Sequence, residues 1–245
     1  MVRDESSNQP SSTSATAEST SPTSAGFFRI DELVAKLWEQ LGSIEGTDTT
    51  STDTEMKWPR SRRVNYEYFS LHIWPKIQAQ GKPPSKVPPL VVWTQIQSHL
   101  KGSVEAVMSG GSGLSLDQYL NTSDFNEKRC RMEESSRHEV HSLYLRYQSF
   151  LSSNGYWDDG DMTAAVVTAL RSVQQTWEGP LYDRVYVDEV QDLTQAEIAV
   201  LILASGCRCE SVFFAGDTAQ SITPGVEFRF EEVSYDDEEY YICML

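Results

Sequence analysis

Two acidic side chains in succession, Asp188 and Glu189, close the short apolar run Val185-Tyr186-Val187. Adjacent carboxylates at a strand tip suit phosphate chemistry. One can hold Mg²⁺, usually through its waters, while the other orients and deprotonates an attacking water. Asp188 fits the metal-holding role and Glu189 the role of base. The chain continues as Val190-Gln191-Asp192, and a second apolar run, Val212-Phe213-Phe214-Ala215, ends in Gly216-Asp217 and continues Thr218-Ala219-Gln220-Ser221-Ile222. Both runs therefore carry polar residues at their carboxyl ends, the edge at which open α/β sheets place ligands.

Between the two runs, Thr194-Gln195-Ala196-Glu197 reads as a capping box, and Ile198 to Ala204 suits a helix packed on a sheet. The unit is strand, helix, strand. That order predicts parallel neighbouring strands at 185–187 and 212–215. It also predicts that Asp188, Glu189 and Gln220 meet at one sheet edge.

These residues carry a resemblance. Asp188-Glu189-Val190-Gln191-Asp192 resembles the Walker B element, motif II, of UvrD/Rep-like superfamily 1 helicases, and Gly216 to Ile222 resembles their motif III. The wording is most similar to the helicase-like region of the large TPR-and-ankyrin-repeat-containing proteins. Gly155-Tyr156-Trp157-Asp158-Asp159, with Asp161-Met162, resembles the aromatic-acidic segment that precedes motif II. The strong likeness covers about residues 140 to 230 and rests on two motifs in order, which is far more specific than one DExxQ string.

The resemblance implies an α/β fold: part of the first RecA-like motor domain of a P-loop NTPase, with a helical accessory region before it. It implies ATP and Mg²⁺ as cofactors and single-stranded nucleic acid as partner. Asp188 would help hold Mg²⁺, Glu189 would be the general base and Gln220 would sense the γ-phosphate. Gln191, Asp192 and Asp217 would tie motif II to motif III. Thr223-Pro224 stands where the family often has a base-stacking aromatic residue.

No G-x-x-x-x-G-K-[ST] occurs in the chain. That loop holds a triphosphate through backbone N–H groups at a helix amino end and a lysine on the β/γ-phosphates. Gly81-Lys82 leads into Pro83-Pro84, and Gly110-Gly111-Ser112-Gly113 lacks the lysine and a preceding strand, so it reads as a flexible turn. The second motor domain and its arginines are also absent. The expectation is a fragment of an ATP-dependent helicase that is inactive alone. The competing reading is a non-catalytic interaction protein that keeps the helicase shape.

Residues 1–56 read as a disordered Ser/Thr-rich segment, poor in large apolar side chains, with one amphipathic helix. That helix places Ile30, Leu33, Val34, Leu37, Trp38 and Leu41 on one stripe. Packing is the expected role, with a partner-binding helix as the alternative. Residues 57–178 read as the accessory, 1B-like region, with helices expected near 133–150 and 161–175. Residues 179–230 form the partial motor domain, and 231–245 an acidic tail. Neither a signal peptide nor a membrane span is visible, so an intracellular site, nuclear or cytoplasmic, is expected.

A formal net charge of −16 opposes strong general affinity for nucleic acid. Two local exceptions stand out: Lys57, Arg60, Arg62 and Arg63, and Lys128, Arg129, Arg131 and Arg137. Solvated faces are the expected reading of both, with nucleic-acid contact as the alternative. Cys130, Cys207, Cys209 and Cys243 lack zinc-site spacing and read as reduced thiols. His138 and His141 are spaced to share a helix face, where packed or surface histidines are commoner than ligands. No G-x-S-x-G elbow supports a serine nucleophile.

Overall fold

The computed structural model describes residues 25–42, 57–81, 84–110, 113–121, 132–174, 179–220 and 223–227. The expectations for the amino-terminal 24 residues, the 43–56 linker, Lys128 to Arg131, Cys130, Cys243 and the tail from 231 lie outside those residues.

Helix α1 (Ile30–Gly42) has Asp31 and Glu32 in its first turn, where they complement the helix dipole. It buries Val34, Leu37, Trp38 and Leu41, the i, i+3, i+4, i+7 stripe read from the sequence. A capped turn, α2 (Tyr66–Tyr68), whose Tyr68 N–H donates to Asn65 Oδ1 at 2.8 Å, runs through a π-helical turn (Phe69–Ile73) into α3 (Trp74–Ala79). Pro75 explains the widened turn: it has no N–H to donate one turn back, and its ring crowds the carbonyl there.

Helix α4 (Pro89–Thr94) starts on a proline that needs no N–H partner and passes into a second π turn, Gln95–Leu100. Two short helices follow, α5 (Val104–Met108) and α6 (Leu116–Leu120), capped by Ser103 and Ser115. Helix α7 (Glu134–Asn154) runs four residues past its expected end because it stops only at Gly155, whose φ of 64° terminates it in the left-handed conformation. Helix α8 spans Asp159–Gln174.

Strand β1 (Val185–Val187) and strand β2 (Val212–Phe214) pair in parallel, Val185 opposite Val212 and Val187 opposite Phe214. Helix α9 (Gln195–Ala204) crosses between them, and its capping box closes as expected, with Thr194 and Glu197 exchanging side-chain and backbone bonds. The described residues are thus a helical assembly carrying a small two-stranded parallel sheet.

Three apolar clusters hold it. Phe69, Ile96, Leu143 and Tyr147 centre the first, among α2 to α7. The second joins α1, α8 and α9 through Leu37, Trp38, Val166, Val167 and Val200. The third packs Ile198, Leu201 and Ile202 of α9 against one face of the sheet. On the opposite face Tyr186 and Phe213 are exposed and stack at 4.9 Å with an interplanar angle of 12°. Among the described residues no helix is long and apolar enough to cross a membrane.

Candidate functional site

Strand β1 delivers Asp188 and Glu189 to solvent at its carboxyl end. The Glu189 N–H donates to Asp188 Oδ1 at 3.0 Å, which orients the first carboxylate along the chain. Glu189 itself is left-handed, φ 54° and ψ 42°. A non-glycine residue there carries backbone strain of order 1–2 kcal/mol, tolerated where surrounding contacts over-determine it. The chain then turns once, Val190–Asp192, and the Val190 N–H donates to Ala215 O at 3.0 Å while the Ala215 N–H donates to Val187 O at 2.8 Å. These two bonds extend the ladder past the strands, so the loops after β1 and β2 leave the sheet side by side.

Gln191 joins the loops. Its side chain is buried, with 1% of the residue exposed. Nε2 donates a short hydrogen bond to Glu189 Oε2, and Oε1 accepts from the Asp217 N–H at 3.0 Å. The passage is tight: a Cβ on Gly216 would lie 2.2 Å from Gln191 Oε1, so any larger residue has to displace the Gln191 amide. Asp217 then accepts from the Ala219 N–H at 2.9 Å through Oδ1 and from Gln220 Nε2 at 3.0 Å through Oδ2. Asp192 Oδ1 accepts from the Thr223 N–H at 3.3 Å. Glu189, Gln191, Asp217 and Gln220 therefore form one hydrogen-bonded series along the sheet edge. Asp188 stands beside it, and Asp192 pins the segment that follows.

The exposed carboxylates of Asp188 and Glu189 suit a hard cation that keeps several waters and takes further oxygens from a phosphate. Among the described residues no cluster of three or more His, Cys, Asp or Glu could cage a metal unaided. His138 and His141 do not converge: His138 is exposed beside Glu134, whereas His141 is buried against Leu114 O at 3.1 Å.

The model of the UvrD/REP helicase N-terminal domain matches residues 93–229, more than half of the chain. The chain belongs to this helicase family. It is also similar to TPR and ankyrin repeat-containing protein 1 of Homo sapiens, with 35% identity over 175 residues, covering 69% of this chain and 6% of that protein. The match thus spans a small part of that relative's length. No solved structure matches.

Within this helicase segment lies a buried charged hub that the sequence did not reveal. Lys101 is 3% exposed and Asp158 fully buried, and the ammonium lies 2.6 Å from both Asp158 Oδ1 and Asp161 Oδ1. Asp158 Oδ2 accepts from the Tyr147 hydroxyl at 2.8 Å and from Gln97 Nε2 at 3.3 Å. Burial opposes the charge on Lys101, but the two carboxylates outweigh it and push the ammonium up to about 12. Asp158 is held below the ordinary carboxylate value, because Lys101 and the hydroxyl of Tyr147 overcome its burial. Asp161 bears the surplus negative charge: burial, then Asp158, push it up to about 6. In sequence, Lys101 is one basic residue after the mixed polar and apolar stretch Gln95 to Leu100. Only the i, i+3 pair Asp158 and Asp161 at a helix start hinted at a shared partner.

The same stretch of chain holds the residues after motif III. Trp93 Nε1 donates to Pro224 O at 3.2 Å, Ser98 Oγ donates to Gly225 O at 2.6 Å, and the Glu227 N–H donates to Ser98 Oγ at 2.8 Å. Gly225, at φ 100°, sits so close to Trp93 that a Cβ would meet its ring at 2.6 Å. The Ala196 N–H, at the start of α9, donates to Gly102 O at 2.8 Å. The Trp93 to Gly102 stretch thus braces α8, α9 and the motif III exit together.

Proposed function

We propose that this chain carries the hydrolytic edge of an ATP-driven nucleic-acid motor, part of a first RecA-like domain. Asp188 would help hold Mg²⁺ and Glu189 would be the general base. Gln220 would report the state of the terminal phosphate, and Gln191, with Asp217 and Asp192, would hold motifs II and III in register. The observation that carries this reading is the series Glu189, Gln191, Asp217, Gln220. A base linked through Gln191 and Asp217 by a continuous series of hydrogen bonds to a phosphate-sensing amide in the loop after the next strand suits the coupling of hydrolysis to movement.

Bound at the edge, Mg²⁺ and ATP would supply the phosphoryl group and the neutralising charge. The protein's own contribution is orientation. Gln191 holds the Glu189 carboxylate from one side and leaves its other oxygen for a water. Asp217 fixes the Gln220 amide, and the turn Val190–Asp192 keeps both loops in register. Single-stranded nucleic acid is the proposed track, and an intracellular site the proposed location.

A second reading is favoured by one observation, the absence of a phosphate-binding loop from these 245 residues: the chain is a non-catalytic helicase-like interaction module. Two measurements separate the readings. The purified chain alone is expected to show no ATP turnover, since the loop and the arginines worth about 10³ to 10⁵ in rate are absent. In a longer product carrying the loop and a second motor domain, Glu189→Gln should abolish hydrolysis and spare ATP binding. Unchanged turnover in that variant would remove Glu189 from the base role. A longer product that neither binds nor hydrolyses ATP would establish the interaction module.

A further inference from the structure

The small sheet has one covered face and one open face. Helix α9 packs against Val185, Val187, Val212 and Phe214, whereas Tyr186 and Phe213 point the other way and are 69% and 45% exposed. Alternate residues of a strand face opposite sides, so both rings belong to the open face. They stack on each other at 4.9 Å across the parallel pair. Among the described residues no other exposed apolar rings from two different elements are in contact. A joined aromatic patch on so acidic a chain suits an interaction surface.

The chain itself supplies an occupant. Outside the described residues, Tyr240-Tyr241-Ile242-Cys243-Met244-Leu245 is a run of six apolar residues, and no other stretch there has more than two in succession. The chain departs toward it from beside the sheet. The Thr223 N–H donates to Asp192 Oδ1 at 3.3 Å, just beyond β1, and the Glu227 N–H donates to Ser98 Oγ at 2.8 Å. At most about 14 Å of chain separates those two anchors, and residues 228–239 reach about 40 Å further. A three-residue strand is only about 10 Å long. Charge sets the direction of approach. Asp188 and Glu189 crowd the carboxyl end of β1, whereas Arg184 stands exposed before its amino end and makes no ion pair among the described residues; its neighbour Asp183 lies 3.7 Å from Arg208. The acids of residues 231–239 are thus repelled at one end of the strand and attracted at the other.

We propose that Tyr240 to Leu245 folds back over the Tyr186 and Phe213 face, with the acidic run that precedes it beside Arg184. The contact removes two apolar surfaces from water at once and closes the open face to other chains. A second copy of this chain is a poorer cover. Two facing patches would join four part-exposed rings at about 150–250 Å² each, short of the about 1,200 Å² that stable interfaces bury. The face is separate from the carboxyl edge that carries Glu189 and Gln220, so the contact needs neither ATP nor motif II.

The test replaces Tyr241 of the full chain by the photoreactive residue p-benzoylphenylalanine, illuminates it and maps the crosslinks by mass spectrometry. Crosslinks within one chain to the 184–188 or 211–215 peptide are expected. Tyr186→Thr with Phe213→Thr, which keeps the β preference and removes both rings, should abolish them. Ile242→Asp with Leu245→Asp, altering the tail alone, should lower the thermal midpoint by about 5 °C and raise binding of the hydrophobic dye ANS. Because the first measurement leaves every strand residue unchanged, it carries the test even where the threonine pair lowers folding stability. Crosslinks elsewhere in the chain, or none, overturn the proposal. Crosslinks only between chains overturn it too and identify a second copy as the cover. Crosslinks to the two peptides that persist in the threonine double variant, or a midpoint and dye signal unmoved by the aspartate pair, refute the role of the apolar contact. No readout involves nucleotide or a motif II residue, so failure here leaves the hydrolase reading to its own Glu189→Gln test.

Discussion

Replacing Lys101 by Met should unfold this chain more readily than any surface change, and the size of the effect can be worked from its surroundings. The ammonium sits 2.6 Å from two carboxylates, one of them fully buried. Its rise from 10.5 to about 12 corresponds to about 2 kcal/mol in favour of the charged form in the folded protein. Methionine fills similar volume but removes that term and leaves Asp158 charged without a cation. Breaking a buried pair from one side costs about 3–5 kcal/mol, most of it the uncompensated charge. At about 2–4 °C per kcal/mol for a chain of this size, the thermal midpoint should fall by roughly 10 °C at pH 7. Circular dichroism melts and urea titrations measure it. The loss should shrink as pH falls, because an orphaned Asp158 escapes its penalty by protonation. Adding Asp158→Asn and Asp161→Asn should recover most of the stability, since a neutral hub needs no ammonium. A loss below about 1 kcal/mol for Lys101→Met, or no recovery in the triple variant, would refute the view of this hub as a paired buried charge.

Three further outcomes are expected. Gly216→Ala should push Gln191 off its two bonds, costing about 2–4 kcal/mol in urea unfolding; a cost under about 0.5 would mean that the glutamine passes elsewhere. Glu189→Gly should be about 1 kcal/mol more stable than Glu189→Ala, because both lose the Gln191 bond and the proposed base while only glycine relieves the left-handed backbone, and equal melting midpoints would contradict the strain. Asp161 and Glu197 have folded values raised from 3.8 and 4.5 to about 6 and about 7, both chiefly by burial, so their stabilising contribution is full below pH 4 and is lost as pH rises through 6 and 7. The melting midpoint should therefore climb between pH 8 and pH 5, and Glu197→Gln, which keeps the cap, should flatten the upper half of that climb. A midpoint that stays level or falls over that range would reverse the sign of this argument.

Local chemistry made the strand-helix-strand unit legible in the sequence. Val185 to Val187 and Val212 to Phe214 are short, apolar and β-favouring, Thr194 and Glu197 cap the helix between them, and the connection leaves parallel pairing as its natural outcome. The α1 stripe was legible for the same reason, since helical periodicity alone sets which side chains share a face. The loop residues Glu189, Gln191, Asp217 and Gln220 could be named in advance because motif II and motif III are contiguous in sequence.

Tertiary packing decided the rest. Lys101 and Asp158 are 57 residues apart, and no local preference marks a lysine as one that will be buried between acids. Gly216 looks like any turn glycine until the Gln191 amide is seen to need the space of its missing Cβ. Arg62 and Arg63 are neighbours with the same charge, yet one turns to Tyr156 and the other to Asp31 and Asp159. Their fates differ because Arg62 closes a 3₁₀ turn while Arg63 is already extended, so the two side chains leave in different directions, and what waits in each is set by helices folded from distant sequence.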